Sequence, residues 1–165
     1  MRAAAPALKK TLDQKLEDAV RSGLEATSGL HVRRVAVEDQ RRFVERMSCA
    51  QLQLAGDGWT GVLVLLVPDE MGRDLAAKAS GAAPHRGVYR GSDLAEGYGT
   101  MLTAVGVEFA RSFAPDPKIH FSMPVLVAGS DLAVSFPWGG HFESRQCFSS
   151  PVGPLWVILR LSHMS

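Results

Sequence analysis

The sequence contains no asparagine, and its only side-chain amides are Gln14, Gln40, Gln51, Gln53 and Gln146. Chemistry that needs an amide to orient a water must draw on one of these glutamines. Cysteine is scarce as well. Cys49 and Cys147 lie far apart and make no disulfide framework, so they read as two buried thiols in a reducing compartment. Neither sign of charge is in excess: 18 Lys and Arg face 17 Asp and Glu, a formal net charge of +1. That balance excludes nucleic acid as the main ligand, because phosphate binding needs a basic surplus or patch. Long apolar runs are missing too. The longest, Gly61 to Val67, is far short of the ~20 residues that cross a bilayer. Met1-Arg2-Ala3-Ala4-Ala5-Pro6 has a charge but no apolar stretch of the kind a signal peptide needs. A cytoplasmic protein without a membrane partner is expected.

Motifs of the common catalytic classes are also lacking. His31, His85, His120, His141 and His163 show no metal-ligand spacing, so no metal site is expected. No Gly-x-Ser-x-Gly elbow is present, and Ala128-Gly129-Ser130-Asp131 reads as a turn. Gly97-Tyr98-Gly99 lacks the third glycine and the preceding strand of a dinucleotide fingerprint. Arg33, Arg34, Arg41, Arg42 and Arg46 are interleaved with Glu38, Asp39 and Glu45, the pattern of a solvated face. Trp138 in Pro137-Trp138-Gly139-Gly140-His141 reads as a half-buried loop plug. No catalytic residue of these classes and no cofactor are expected.

What is present is the material for one domain. At 165 residues, 46% hydrophobic and 21% charged, the chain can bury a core without disulfide or metal. A single domain over 1–165 is expected, ordered over about 8–162, with residues 1–7 as a loose leader. Leu8, Leu12, Leu16, Ala19, Val20 and Leu24 have helical spacing, and Gly29 follows as a C-cap. His31 to Val37 suits a short strand. Ser48 to Leu54 and Trp59 to Val67 read as a hairpin around Gly56-Asp57-Gly58, the second strand buried on both faces. Pro68, Asp69 and Glu70 open a helix that stops before Gly81.

Ser92 is placed as the N-cap of the clearest element, a helix from Asp93 to Phe113. Leu94, Tyr98, Met101, Leu102, Val105 and Phe109 fall on one of its faces. Glu96, Thr100, Thr103 and Val107 fall on the opposite face. Gly97, Gly99 and Gly106 interrupt it, which suggests close approach of another backbone. Beyond Pro115-Asp116-Pro117, strands are expected at Lys118–Ser122, Val125–Ala128 and Leu132–Phe136. A closing hairpin joins Arg145–Ser149 to Leu155–Leu161. This order predicts an α+β fold of two layers, helices packed on a largely antiparallel sheet.

In this order and spacing the chain resembles the CheX-like branch of the CheC/CheX chemotaxis phosphatase family, from Leu8 to Leu161. The segments that carry the resemblance are Leu24–Leu30, Thr60–Glu70, Leu94–Gly106, Met123–Gly129 and Phe148–Leu161. It implies a domain that binds a phosphorylated CheY-like response regulator and forms a homodimer. Active members carry an acid on the exposed face of the long helix and an asparagine three positions on. The acid engages the regulator's lysine and the amide aims a water at the aspartyl phosphate. Mg²⁺ sits on the regulator. Catalysis of this kind is positioning.

The sequence departs from that pattern at the site. With Gly99 matched to the family glycine, Thr100 takes the acid position and Thr103 the asparagine position. No asparagine or glutamine lies between Asp93 and Phe113. A threonine hydroxyl is shorter and lacks the planar amide. The expectation is therefore a pseudo-phosphatase: a docking face of Glu96, Thr100, Thr103 and Val107, with no catalytic residue. One alternative is an active phosphatase that brings Gln51 or Gln53 over this face. Another is a structural scaffold related to the middle domain of the flagellar switch protein FliM.

Overall fold

The computed structural model describes residues 6–36, 47–81, 91–113, 118–122, 125–128 and 142–163. Several expectations lie outside them: the Arg41, Arg42 and Arg46 cluster, His85, the Ser130 turn, the Leu132–Phe136 strand and the Trp138 loop.

Helix α1 runs Pro6–Ser28, so it takes in residues expected in the leader. It ends at Gly29, whose φ of 70° suits glycine. The Gly29 N–H donates to the Glu25 carbonyl at 3.0 Å, the bond of a left-handed αL ending, and the Leu30 N–H donates to the Leu24 carbonyl at 3.4 Å. Leu24 and Leu30 both enter the core. Strand β1 is Arg33–Val35, shorter than expected.

Strands β2 (Met47–Gly56) and β3 (Trp59–Pro68) form the expected hairpin in continuous antiparallel register, Gly56 opposite Trp59 and Met47 opposite Pro68. The β-branched and leucine run of β3 is buried on both faces, with Leu63 and Val64 almost without exposure. Helix α2 (Asp69–Ser80) starts directly after Pro68. Asp69 and Glu70 complement the positive end of its dipole and Lys78 the negative end, and it closes on left-handed Gly81.

Helix α3 is Gly91–Arg111. It begins before Ser92, so that residue lies inside the first turn and is not its N-cap. A tight turn follows, the Phe113 N–H bonding the Ala110 carbonyl at 3.0 Å. Strand β4 contracts to His120–Phe121, β5 is Val125–Ala128, β6 lengthens to Phe142–Ser149 and β7 is Leu155–His163.

The strands make one sheet in the order β1-β6-β7-β3-β2, every pair antiparallel. Strands β4 and β5 share the far edge. β4 pairs Leu54 and Ala55 of β2, and β5 pairs Ser48 to Gln51. All three helices lie on one face of the sheet. The core between the layers is built from Leu16, Val20 and Leu24 of α1, Leu75 of α2, and Tyr98, Met101, Leu102 and Phe109 of α3. These meet Leu52, Leu63, Leu65, Leu159 and Phe148 of the sheet. The α+β, two-layer, antiparallel expectation holds.

Candidate functional site

The geometry of α3 begins with its glycines. A Cβ on Gly97 would sit 1.9 Å from the Ala76 carbonyl oxygen of α2. A Cβ on Gly106 would sit 2.8 Å from the Phe121 ring and 3.2 Å from Leu54. From the other side, Gly23 of α1 lets the Val105 backbone nitrogen approach to 2.8 Å of where its Cβ would be. The missing side chains thus let two helices and a sheet edge close on α3. Gly99 is buried with them.

These contacts fix which way α3 faces. Tyr98, Met101, Leu102, Val105 and Phe109 are buried. On the opposite side Glu96 and Thr100 are exposed, and Thr103 and Val107 are half-buried. The four form one stripe, one residue per helical turn. The Thr100 hydroxyl donates to the Glu96 carbonyl at 2.9 Å, within its own helix. The stripe therefore offers one carboxylate, two hydroxyls and an isopropyl group.

The amides lie elsewhere. Leu52 and Leu54 of β2 point into the core, so their neighbours Gln51 and Gln53 face the other side of the sheet. The fold thus separates both residues from the stripe by its full thickness. Gln14 is on α1, donating to Glu17 and Asp18. Gln146 is buried on β6 and donates to Asp13 and Ser144. Gln40 lies outside the described residues.

Two polar clusters, invisible in the linear sequence, hold the layers around α3. Asp13 of α1 accepts from Arg34 of β1 at 2.5 Å, and from Ser144 and Gln146 of β6. Burial pushes its pKa up, but the hydrogen bonds from Ser144, Arg34 and Gln146 and the arginine charge prevail and hold it below the usual range. The second cluster joins α3 to α2. Tyr98 Oη is buried against Gly72, and burial raises its pKa. Among the described residues its hydroxyl finds no hydrogen-bond partner of good geometry, and the nearby Ser48 hydroxyl offsets the rise only in part. The Ser48 hydroxyl, on the strand beneath, donates to Asp69 at 2.6 Å, and Asp69 also pairs with Arg73 at 3.2 Å. A glycine on one helix facing a tyrosine on the next gives no recognisable motif, so sequence reasoning could not find this contact.

Among the described residues no three His, Cys, Asp or Glu side chains converge as a metal site would require. His31, between α1 and β1, and His120 of β4 are both exposed. Surface hollows among the described residues include one of about 440 Å³ between α2 and the β6–β7 turn and one of about 400 Å³ over Gln53, Thr60 and His120. Neither includes the α3 stripe. No described helix is long and apolar enough to cross a membrane.

No family model and no curated protein matches the chain. Solved structures do. A chemotaxis protein CheX from Vibrio vulnificus superposes with a TM-score of 0.68 at 14% identity, covering 92% of this chain and 96% of that one. CheX in a CheX–CheY–BeF₃–Mg²⁺ complex from Borrelia burgdorferi gives 0.64 at 14% identity, over 91% and 97%. The FliM middle domain from Vibrio alginolyticus gives 0.55 at 11% identity, over 96% and 94%. Three helices on one antiparallel sheet, in this order and over nearly the whole chain, give this protein the fold of the CheX and CheC chemotaxis proteins.

Proposed function

We propose that this chain is a CheX-like signalling domain that docks a phosphorylated CheY-like response regulator on the outward stripe of α3, without efficient phosphatase activity. The observation that carries the reading is the stripe itself. Glu96, Thr100, Thr103 and Val107 stand together on a helix held by close contacts on its other sides. The CheX–CheY complex supports the kind of partner. On this reading Mg²⁺ belongs to the regulator, and this chain brings no cofactor. The protein acts in the cytoplasm, as a homodimer joined through a sheet edge or a helix face of small residues.

Efficient hydrolysis needs a group that holds a water in line with the phosphorus. α3 carries no amide at any position. The glutamines weighed as substitutes, Gln51 and Gln53, sit on the far side of the sheet from the helices. That placement argues against an active phosphatase built on them. The FliM likeness supports a scaffold as the second reading, because that domain shares the layers and their order.

The test is binding of beryllofluoride-activated receiver domains to the wild type and to Glu96→Arg. Binding that the charge reversal abolishes is expected. Binding to no receiver, or binding indifferent to Glu96→Arg and to Val107→Glu, overturns the docking face. In parallel, a Thr100→Glu, Thr103→Asn variant should accelerate loss of phosphate from the receivers that bind. If the wild type already does so, the pseudo-phosphatase reading is wrong.

A further inference from the structure

Resting on that docking reading, we propose that the α3 stripe shields the aspartyl phosphate of a bound regulator from water, so that this chain prolongs the phosphorylated state. Spontaneous loss of the phosphoryl group needs one water. Its oxygen bonds to phosphorus as the phosphorus–oxygen bond to the aspartate breaks, leaving the carboxylate and inorganic phosphate. That water must lie in line with the breaking bond, and the barrier rises steeply when it is misplaced or excluded.

Each residue of the stripe is poorly suited to hold it. Thr100 has its hydroxyl proton committed to the Glu96 carbonyl of its own helix at 2.9 Å. Val107 has no polar side-chain atom and is half-buried, as is Thr103. A surface of this kind, pressed against a phosphate, displaces water and offers back only short hydroxyls without a planar amide. Glu96 is the one charged group, a full helical turn from Thr100. Its carboxylate suits a cationic side chain of the partner and repels the phosphate itself.

The face is also fixed in shape. Gly97 sits against the Ala76 carbonyl, and the Val105 backbone sits against Gly23, with no room for a side chain at either glycine. Rotation of α3 to present another residue would break both contacts. Among the described residues the other amides are engaged or distant. Gln146 is buried in the Asp13 network, Gln14 donates to Glu17 and Asp18 on α1, and Gln51 and Gln53 lie beyond the sheet. The same geometry that removes the water-holding group thus leaves a cover over the phosphate.

The experiment measures two quantities on the same receiver domains, drawn from the source genome. Each receiver is phosphorylated with acetyl phosphate and Mg²⁺, freed of excess donor, and followed for phosphate release with and without saturating full-length protein. Binding is followed separately by anisotropy of the fluorescently labelled receiver. The expected result is a receiver that binds and loses phosphate severalfold more slowly in the complex. Glu96→Arg should remove binding and protection together. Thr103→Asn should retain binding and cancel the protection. A receiver that binds but loses phosphate at an unchanged or higher rate overturns the shielding proposal while docking stands. If no receiver binds, the docking reading falls and the proposal falls with it.

Discussion

At the residue scale, the polar groups inside the layers do more than the charged surface. Exposed pairs such as Arg111–Glu108 contribute little, because water already solvates both partners. Asp13 is different, since it gathers donors from three elements. Its pKa in the fold lies below the ordinary carboxylate value of 3.8. The unfolded chain therefore binds its proton more readily. The network stabilises the protein at pH above that ordinary value, and the contribution is lost as pH falls through the lower folded value. Glu143, between Arg145 and Arg160, is shifted the same way and adds to the same limb. Asp13→Asn is expected to flatten the acid limb of stability against pH. It should also lower neutral-pH stability by about 1–3 kcal/mol, the usual effect of leaving buried partners unsatisfied, read from urea midpoints. An unchanged acid limb would show that the network is not coupled to folding.

The two cysteines belong to this scale as well. Burial pushes the Cys49 thiol up to about 12 and raises Cys147 in the same direction. Both are therefore expected to resist a thiol reagent at neutral pH until the protein unfolds. Rapid labelling of native protein would contradict that placement.

At the element scale, α3 shows why Gly97 and Gly106 stand where they do. Glycine inside a helix is unfavourable by roughly 1 kcal/mol relative to alanine. Here the interruptions are tolerated because neighbours close on them. Gly97→Ala would place a carbon 1.9 Å from a backbone oxygen that no side-chain rotation can move. The substitution is expected to destabilise the protein by about 1–3 kcal/mol despite the better helix propensity, as overpacking does. It should also weaken regulator binding, because α3 must shift. A thermal melt with an unchanged midpoint would show that α2 and α3 are less tightly apposed. This contact was half legible in advance: the glycines announced an approach, but not that α2 supplies Ala76.

At the scale of the whole molecule, strands distant in sequence lie side by side. Arg33 to Val35 pair with Ser149 to Cys147, and Trp59 to Leu66 pair with His163 to Trp156. Removing the last hairpin would strip β1 of its partner and expose the β3 edge together. A single cooperative unfolding transition is therefore expected, with the same midpoint by far-ultraviolet circular dichroism and tryptophan fluorescence. Two separated transitions would mean independent halves. Among the described residues β1 pairs on one side only, with β6, which leaves an edge on which a second copy could add. Light scattering at high concentration should report a dimer, and a persistent monomer excludes it.

Local chemistry was sufficient wherever a few neighbouring residues control the outcome. Gly29 and Gly81 ended their helices, Gly56-Asp57-Gly58 turned the hairpin, and the spacing of Tyr98, Met101, Leu102 and Phe109 separated the buried face of α3 from the outward stripe. Strand limits were less legible. β4 shrank and β6 grew because a strand extends only as far as its partner offers backbone groups, and the partner is set by the sheet. The placement of Gln51 and Gln53 was beyond local reading for the same reason. Alternation along β2 put them on the face opposite Leu52 and Leu54, but only packing decided that the helices cover the leucine side. The convergence of Asp13, Arg34, Ser144 and Gln146 likewise has no local signal, since their hydrogen bonds form only once α1, β1 and β6 are packed.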